Sequence, residues 1–192
     1  MIMNKLQNFK YVVIGSGPAG IACVGRLLDK GICGSKIKWI GRDNFKGGDL
    51  ALYKSVPSNT NVKNFMKYFN AFWSFEYDNH GILNHHDPES TIPLGVVADE
   101  LEKTSDILKK KVITGNDFIT NISFNDDIWA INDANVLTEH VILANGSYPK
   151  IFNYDKHFIL LEDALNNRIE LPLKTKIGVL GLSHSSVLAL KN

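Results

Sequence analysis

The sequence predicts an α/β fold in which a central parallel sheet with crossover helices is joined to an antiparallel β-meander. Three observations predict it. Residues 10–43 read as strand, helix and strand, residues 94–111 form an amphipathic helix, and residues 111–144 hold three short strands separated by Asn and Asp turns. Strands that alternate with helices form parallel pairs, whereas strands joined by short turns pair antiparallel.

The composition is that of an ordinary globular protein of one domain, or one and a fraction. The 192 residues are 44% hydrophobic and 21% charged, and the formal net charge is +1. This balance of charge favours neither a nucleic-acid partner nor a membrane partner. Two cysteines are too few for a disulfide framework, and no signal peptide or spaced set of metal ligands is recognisable. We therefore expect a cytoplasmic protein without a metal site.

The first strand, "KYVVIG", leads through the turn "SGPAG" into the helix "IACVGRLLDKG". Apolar residues recur at helical spacing in that helix, and Gly31 ends it. The next strand, "SKIKWIGRD", completes a β-α-β unit and predicts a parallel pair of strands.

The turn between the first strand and its helix is a complete G-x-G-x-x-G sequence. In this motif the first glycine permits a sharp turn, the second lets a pyrophosphate approach the backbone, and the third lets the helix pack on the strand. The start of the helix offers N–H groups and a positive dipole to phosphates, and its first turn tolerates proline. The sequence therefore predicts a Rossmann-like dinucleotide site at Gly15, Ser16, Gly17, Pro18, Ala19 and Gly20.

The end of the second strand departs from the usual dinucleotide-binding pattern. A carboxylate normally stands there and holds the adenosine ribose, but Gly41 occupies that position. Asp43 supplies a carboxylate two residues later, whereas Arg42 either suits a 2′-phosphate or faces the solvent. Both residues are candidates for binding the nucleotide, and the sequence does not decide between them.

An aromatic segment lies between the second strand and the long amphipathic helix. Its large side chains recur at i, i+4, i+7 and i+8, which predicts one helix over residues 65–77 with an apolar face in the core. These side chains are Phe65, Phe69, Phe72 and Trp73.

Two further motifs, taken with the glycine turn, resemble a known family. The sequence "GGDL" follows the second strand, and "LTEHVILANGSYP" ends the meander. With "VVIGSGPAGIAC" they resemble the FAD-binding start of reductases and monooxygenases in the two-dinucleotide-binding-domain flavoprotein superfamily. In that family the glycine pair lies near the flavin, and a strand ending in Ala-Thr-Gly passes close to the cofactor. The resemblance adds Gly48, Asp49, Ala144, Asn145 and Gly146 as FAD-binding candidates, with Asn145 in place of the family's Thr.

The closing sequence "IGVLGLSHSSV" resembles the start of a second nucleotide site. The pattern predicts a buried strand over Lys176–Leu180, a tight turn over residues 181–186 and a helix from Val187 onward. In the family a second glycine motif, which binds NAD(P)H, follows the FAD motifs. Its three small positions correspond here to Gly181, Ser183 and Ser186.

The resemblance implies an FAD-binding, NAD(P)H-linked oxidoreductase of reductase or monooxygenase type. It divides the chain into the first part of an FAD-binding domain (1–150), a connection (151–174) and the start of a second, truncated NAD(P)-binding unit (175–192). Disulfide reductases of this fold carry a redox cysteine pair, which the sequence lacks, so we expect a small-molecule or other electron-acceptor substrate. No catalytic side chain is identified, and activity of so short a chain is left open. Self-association is expected where truncation exposes apolar surface.

Two other interpretations remain open. A non-catalytic remnant of such a flavoprotein would bind FAD without turnover. A simple Rossmann protein would bind NAD at residues 15–20, although that fold more often continues with further β-α units than with a meander.

Overall fold

The computed structural model describes residues 7–42, 44–77, 81–132, 135–147, 158–166, 168–172, 174–181 and 183–191. The strands in these ranges are β1 (Gln7–Ile14), β2 (Ile37–Gly41), β3 (Ile113–Asn116), β4 (Ile122–Asn125), β5 (Ile128–Ile131) and β6 (Val136–Leu143). The α-helices are α1 (Pro18–Asp29), α2 (Val62–Phe69), α3 (Leu94–Lys109), α4 (Leu161–Leu165) and α5 (His184–Lys191).

The strands form one mixed sheet in the order β3-β2-β1-β6-β5-β4. The first four strands of this order are parallel, and β5 and β4 continue the sheet antiparallel. In the central strand, Ile14 lies opposite Ile40 of β2 on one side and Leu143 of β6 on the other. The predicted α/β fold is confirmed, and the carboxyl ends of β1, β2 and β6 meet at one edge of the sheet.

Successive residues of β1 point into two different cores, as the period of a strand requires. Val13 packs in the larger core, among the helices on one face of the sheet. Val12 and Ile14 pack in a smaller core with Ile40 and Ile131. Because both faces are covered there, residues 11–14 of β1 form a continuous apolar run rather than an alternating one.

The meander is smaller than the sequence predicts. The first predicted strand is two strands, since β3 pairs parallel with β2 and only β4 enters the antiparallel hairpin. Between them, the Asp117 carboxylate accepts a hydrogen bond from the Phe118 N–H at 2.8 Å, and the Asn132 side chain accepts one from the Thr120 N–H at 2.9 Å. These side-chain bonds to the backbone take the place of strand pairing at residues 117–121.

The aromatic helix is also shorter than predicted. Helix α2 ends at Phe69 with Asn70 as its C-cap, and a separate 3-10 turn spans Trp73–Phe75. Phe69 and Phe72 are buried as expected, but Trp73 is 71% exposed because it no longer lies on the face of the same helix.

The predicted buried strand over Lys176–Leu180 is not formed, which corrects the sequence prediction. Residues 176–180 have no strand assignment, and Leu180 is 94% exposed. A buried parallel strand needs neighbours in a sheet, and none of the strands within the described ranges pairs with this segment. The helix that follows does form, and it begins at His184, three residues before its predicted start.

Candidate functional site

The first glycine turn lies at the carboxyl end of β1, and its geometry requires Gly15. This residue has φ +120°, a conformation that other residues rarely adopt. Its N–H donates to the carbonyl of Ile40 at 2.8 Å, and a Cβ atom added to it would collide with the carbonyl of Ala144. The sharp-turn role predicted for the first glycine is therefore observed, and it ties the ends of three strands together.

The third glycine packs the helix against the turn. A Cβ atom on Gly20 would collide with the carbonyl oxygen of Gly15, so no larger residue fits between α1 and β1. The same carbonyl accepts a hydrogen bond of 2.8 Å from the indole N–H of Trp39, whose side chain is fully buried. The sequence motifs do not identify Trp39 as part of this site. The feature that could have indicated it is a tryptophan inside a buried strand, because its indole N–H needs a hydrogen-bond acceptor.

The second glycine leaves open space at the start of α1. Gly17 is the N-cap of α1 in extended conformation, with φ −78°, and Pro18 occupies the first helical position. The nearest atom to a Cβ added to Gly17 is the Cα of Gly48, 3.9 Å away. Ala19, one residue further, is exposed. A helix N-terminus with this opening can receive a phosphate against its backbone N–H groups.

The glycine pair Gly47–Gly48 lies directly against the glycine turn. Both residues have positive φ, +82° and +71°, and a Cβ on Gly48 would lie 2.9 Å from the Cα of Gly17. Asp49 follows as an exposed residue at the start of a 3-10 helix, Gly48–Tyr53. Two segments that are distant in the sequence thus meet backbone to backbone at the edge of the sheet.

The end of β2 carries charge beside the turn but no carboxylate on the strand itself. Gly41 is buried against Ser16, which is 5% exposed. The Arg42 guanidinium lies 3.5 Å from the Asp49 carboxylate. Asp43, the other candidate at this position, lies outside the described residues.

The end of β6 lies on the other side of β1. The Ala144 N–H donates to the carbonyl of Ile14 at 2.8 Å, which continues the pairing of the two strands up to the turn. Asn145 and Gly146 follow as exposed residues, and Gly146 has φ +66°. The segment that resembles the second FAD motif therefore stands beside the first glycine turn.

The second glycine motif forms a turn and a helix. Gly181 has φ +126°, and Ser183 accepts hydrogen bonds through its carbonyl from Ser186 and Val187 at the start of α5. Helix α5 packs against α4, and Asn166 after α4 donates to the carbonyl of Leu52 at 3.1 Å. This contact links the C-terminal helices to the 3-10 helix that follows the glycine pair.

Tyr53 is the last residue of that 3-10 helix. Burial raises the pKa of its hydroxyl, and the carboxylates of Glu162 and Asp49 raise it further.

A separate cavity of about 380 Å³ lies beside α3, and none of the predicted site residues lines it. Its walls include Tyr77, His85 and Glu100, and Glu100 is paired with Lys103 at 2.6 Å.

No helix within the described residues is long and apolar enough to cross a bilayer.

Comparison with known proteins identifies the family to which the chain is similar. Residues 9–181 match the family model for the pyridine nucleotide-disulphide oxidoreductases. Among curated proteins, the monooxygenase AgnR1 of Paecilomyces divaricatus is 28% identical over 99% of this chain and 56% of its own length. The chain thus spans about half the length of that relative.

Solved structures share the fold at low sequence identity. A polycyclic ketone monooxygenase from the fungus Thermothelomyces thermophila aligns with TM-score 0.54 and 14% identity, over 73% of this chain and 23% of its own. The protein OTEMO, in complex with FAD and NADP, aligns with TM-score 0.54 and 18% identity, over 77% of this chain and 28% of its own. The bacillithiol disulfide reductase of Staphylococcus aureus aligns with TM-score 0.52 and 12% identity, over 73% and 39%.

Proposed function

The chain belongs to the pyridine nucleotide-disulphide oxidoreductase family, and from this membership we propose that it is an FAD-binding oxidoreductase supplied with electrons by NAD(P)H. The observation that carries the proposal is the open approach to Gly17 between the start of α1 and the glycine pair. Gly15 and Gly20 are required by contacts within the protein, whereas no contact within the protein requires Gly17. A pyrophosphate lying on the backbone explains why a glycine stands there.

The residues around this opening suit FAD. Under the proposal, residues 15–20 hold the pyrophosphate through backbone N–H groups and the dipole of α1. Gly48 and Asp49 lie on one side of the turn, and residues 144–146 lie on the other, where they would border the rest of the cofactor. When bound, a flavin supplies the electron-transfer chemistry that amino-acid side chains lack.

We place NAD(P)H at the second glycine motif. Gly181 and the start of α5 provide the turn and the helix that such a site would use, and Ser183 and Ser186 occupy the motif's other small positions. OTEMO, which shares the fold, has been solved in complex with both FAD and NADP. The assignment of residues 175–192 to a second nucleotide-binding unit rests on this motif and on the family.

The electron acceptor is proposed to be oxygen with a small organic substrate, as in a monooxygenase, rather than a disulfide. Cys23 lies within α1, and the exposed Cys33 precedes β2 at the sheet edge opposite the glycine turn. Neither position provides a redox pair beside a flavin at residues 15–20. The curated relative from Paecilomyces divaricatus is itself a monooxygenase.

A second candidate is a protein that binds FAD without turnover. The observation that favours it is the exposed segment 176–180, because the strand that would support the second glycine motif is not formed. Under this alternative the site at residues 15–20 is unchanged, and only the supply of electrons fails.

Purified chain incubated with FAD and passed through a desalting column tests the proposal. We expect the protein to retain FAD in a ratio of one per chain, visible in the flavin absorption band, and to oxidise NADPH or NADH steadily in air. Retention of FAD without oxidation of either nucleotide would favour the non-catalytic alternative. A colourless protein that ignores FAD would overturn both.

A further inference from the structure

Asn145 and Gly146 form the only Asn-Gly pair in the sequence, and they lie just after β6. Asparagine is thermolabile because the backbone nitrogen of the next residue can attack its side-chain amide. A following glycine favours this attack, since it has no Cβ to hinder the approach. Gly146 has φ +66°, and among the described residues only its chain neighbours lie within 4 Å of an added Cβ atom. The surroundings of this pair therefore leave room for the reaction.

The hydrogen bonds of the sheet end one residue before this pair. The N–H of Ala144 donates to the carbonyl of Ile14 at 2.8 Å, which extends the pairing of β6 with β1. Asn145 and Gly146 are exposed. Within the described ranges, neither residue takes part in a hydrogen bond, an ion pair or a ring contact. The side-chain amide of Asn145 and the nitrogen of Gly146 are thus available to each other.

Asn116, the last residue of β3, is a contrasting case in the same structure. The residue after it is Asp117, whose N–H would have to attack but donates to the carbonyl of Gly41 at 2.9 Å. The side-chain amide of Asn116 donates to the side-chain oxygen of Asn44 at 2.9 Å. Both reacting groups are engaged in other hydrogen bonds. The fold therefore protects Asn116 and leaves Asn145 unprotected.

We propose that Asn145 is a site of spontaneous deamidation, and that the product weakens FAD binding at the neighbouring turn. The nitrogen of Gly146 bonds to the Cγ carbon of Asn145, and the amide nitrogen leaves as ammonia with the proton from the Gly146 N–H. Water then opens the cyclic imide at one of its two carbonyls, which yields aspartate or isoaspartate. One water is consumed, one ammonia is released, and nothing is oxidised or reduced.

The product has a new negative charge beside the candidate FAD site. Ala144 precedes it, and the carbonyl of Ala144 lies against the Cα of Gly15, where an added Cβ would collide with it. A carboxylate at position 145 therefore lies close to the turn that is proposed to hold the pyrophosphate, and like charges repel. Isoaspartate also lengthens the main chain where it leaves the sheet. This second part of the inference rests on the proposed function.

Peptide mass spectrometry of the purified chain, stored at neutral pH and physiological temperature, tests the modification. We expect position 145 to gain about one dalton as a hydroxyl replaces the amino group, and ammonia to appear in step. The chain in urea is the reference. Asn145 should convert at a similar rate with and without urea, whereas Asn116 should convert more slowly in the folded chain. Strong slowing of Asn145 by folding, or equal rates at the two asparagines in the folded chain, would overturn the proposal.

Two matched glycine variants assign the reaction to its attacking residue. G146A adds a methyl group to that residue and should slow the conversion of Asn145 severalfold. G178A is the control, because nothing lies within 4 Å of its Cβ position either, and it should leave the conversion unchanged. Thermal unfolding of both variants shows whether their folds are intact. Conversion at the same rate in G146A and G178A would contradict attack by the nitrogen of Gly146.

Fluorescence titration with FAD tests the consequence. Fresh and converted chains are separated by ion exchange, and the converted chain should bind FAD severalfold more weakly. N145D, which has the carboxylate without isoaspartate, should also bind FAD more weakly than the fresh chain. Equal affinity of all three forms would overturn the effect on FAD while the modification stands. If none of them binds FAD, the effect and the proposed function both fall, and the mass gain at position 145 is unaffected.

Discussion

The glycines at positions 15 and 17 are two residues apart, but they satisfy different requirements. Gly15 has φ +120° and lies against the carbonyl of Ala144, so the fold itself demands a residue without a Cβ. Gly17 has φ −78°, which any residue adopts, and a Cβ atom there would have room. At the residue scale, the fold requires the glycine at position 15, and the proposed nucleotide site requires the glycine at position 17.

A substitution at Gly15 costs stability through backbone strain and through a steric collision. Comparison with a substitution at a glycine that has only the strain separates the two costs. Gly31 has φ +79° with nothing near its Cβ position, so G31A should lower the free energy of unfolding by about 1–2 kcal/mol, from strain alone. G15A adds a collision with backbone that the sheet holds in place, and it should cost about 3 kcal/mol or more. Urea unfolding measures both values. Equal losses in the two variants would contradict the packing described here.

The sequence predicts some of these residue roles and not others. The roles of Gly15 and Gly20 follow from the motif, because each depends on the local path from β1 into α1. The hydrogen bond from Trp39 to the carbonyl of Gly15 and the contact between Gly41 and Ser16 join β2 to the turn after β1. Contacts of that kind depend on how elements pack, and a linear pattern does not contain them.

At the scale of elements, α2 is fastened to the start of α1 beside the candidate site. The hydroxyl of Tyr68 donates to the carbonyl of Pro18 at 2.7 Å, and its ring packs against Phe69, Phe72 and Phe75. Burial raises the pKa of Tyr68 above its ordinary value, and the nearby thiol of Cys23 raises it further. Helix α2 therefore supports the glycine turn through the Tyr68 hydroxyl, which donates this hydrogen bond only while it is protonated.

This hydroxyl predicts a loss of stability in alkali. Since the pKa of Tyr68 is higher in the folded chain, its contribution is complete below the unfolded value of about 10 and is lost as the pH rises above it. The loss attributable to Tyr68 approaches about 1.4 kcal/mol for each pH unit. Urea unfolding between about pH 9 and pH 11 should show a shallower decline for Y68F than for the unaltered chain. Parallel declines would show that Tyr68 does not couple protonation to folding.

Element boundaries were harder to predict than element types. Apolar periodicity predicts the β-α-β unit, whose strands are buried on both faces of the sheet, and α3, which has a long amphipathic pattern. The division of β3 from β4 depends on side-chain bonds around Asp117 and Asn132, which apolar periodicity does not report. Residues 176–180 have the composition of a buried strand, but burial depends on a partner strand rather than on composition.

At the scale of the whole molecule, the sheet brings three motifs to one edge. Because β2, β1 and β6 are parallel neighbours, the segments after their carboxyl ends converge on the glycine turn. This is where open α/β sheets bind their ligands. The arrangement brings motifs that are spread over more than a hundred residues of sequence to one place on the sheet.

A comparison of FAD binding in the unaltered chain and in G17A tests the central claim most directly. G178A serves as the matched control, because nothing lies near its Cβ position and it is outside the first turn. G17A should keep nearly the stability of the unaltered chain, since the nearest atom from another part of the chain, the Cα of Gly48, lies 3.9 Å from the added methyl group. Fluorescence titration should show FAD binding weakened by about tenfold or more in G17A and unchanged in G178A. FAD binding of equal strength in G17A and the unaltered chain, or none in the unaltered chain, would contradict the account.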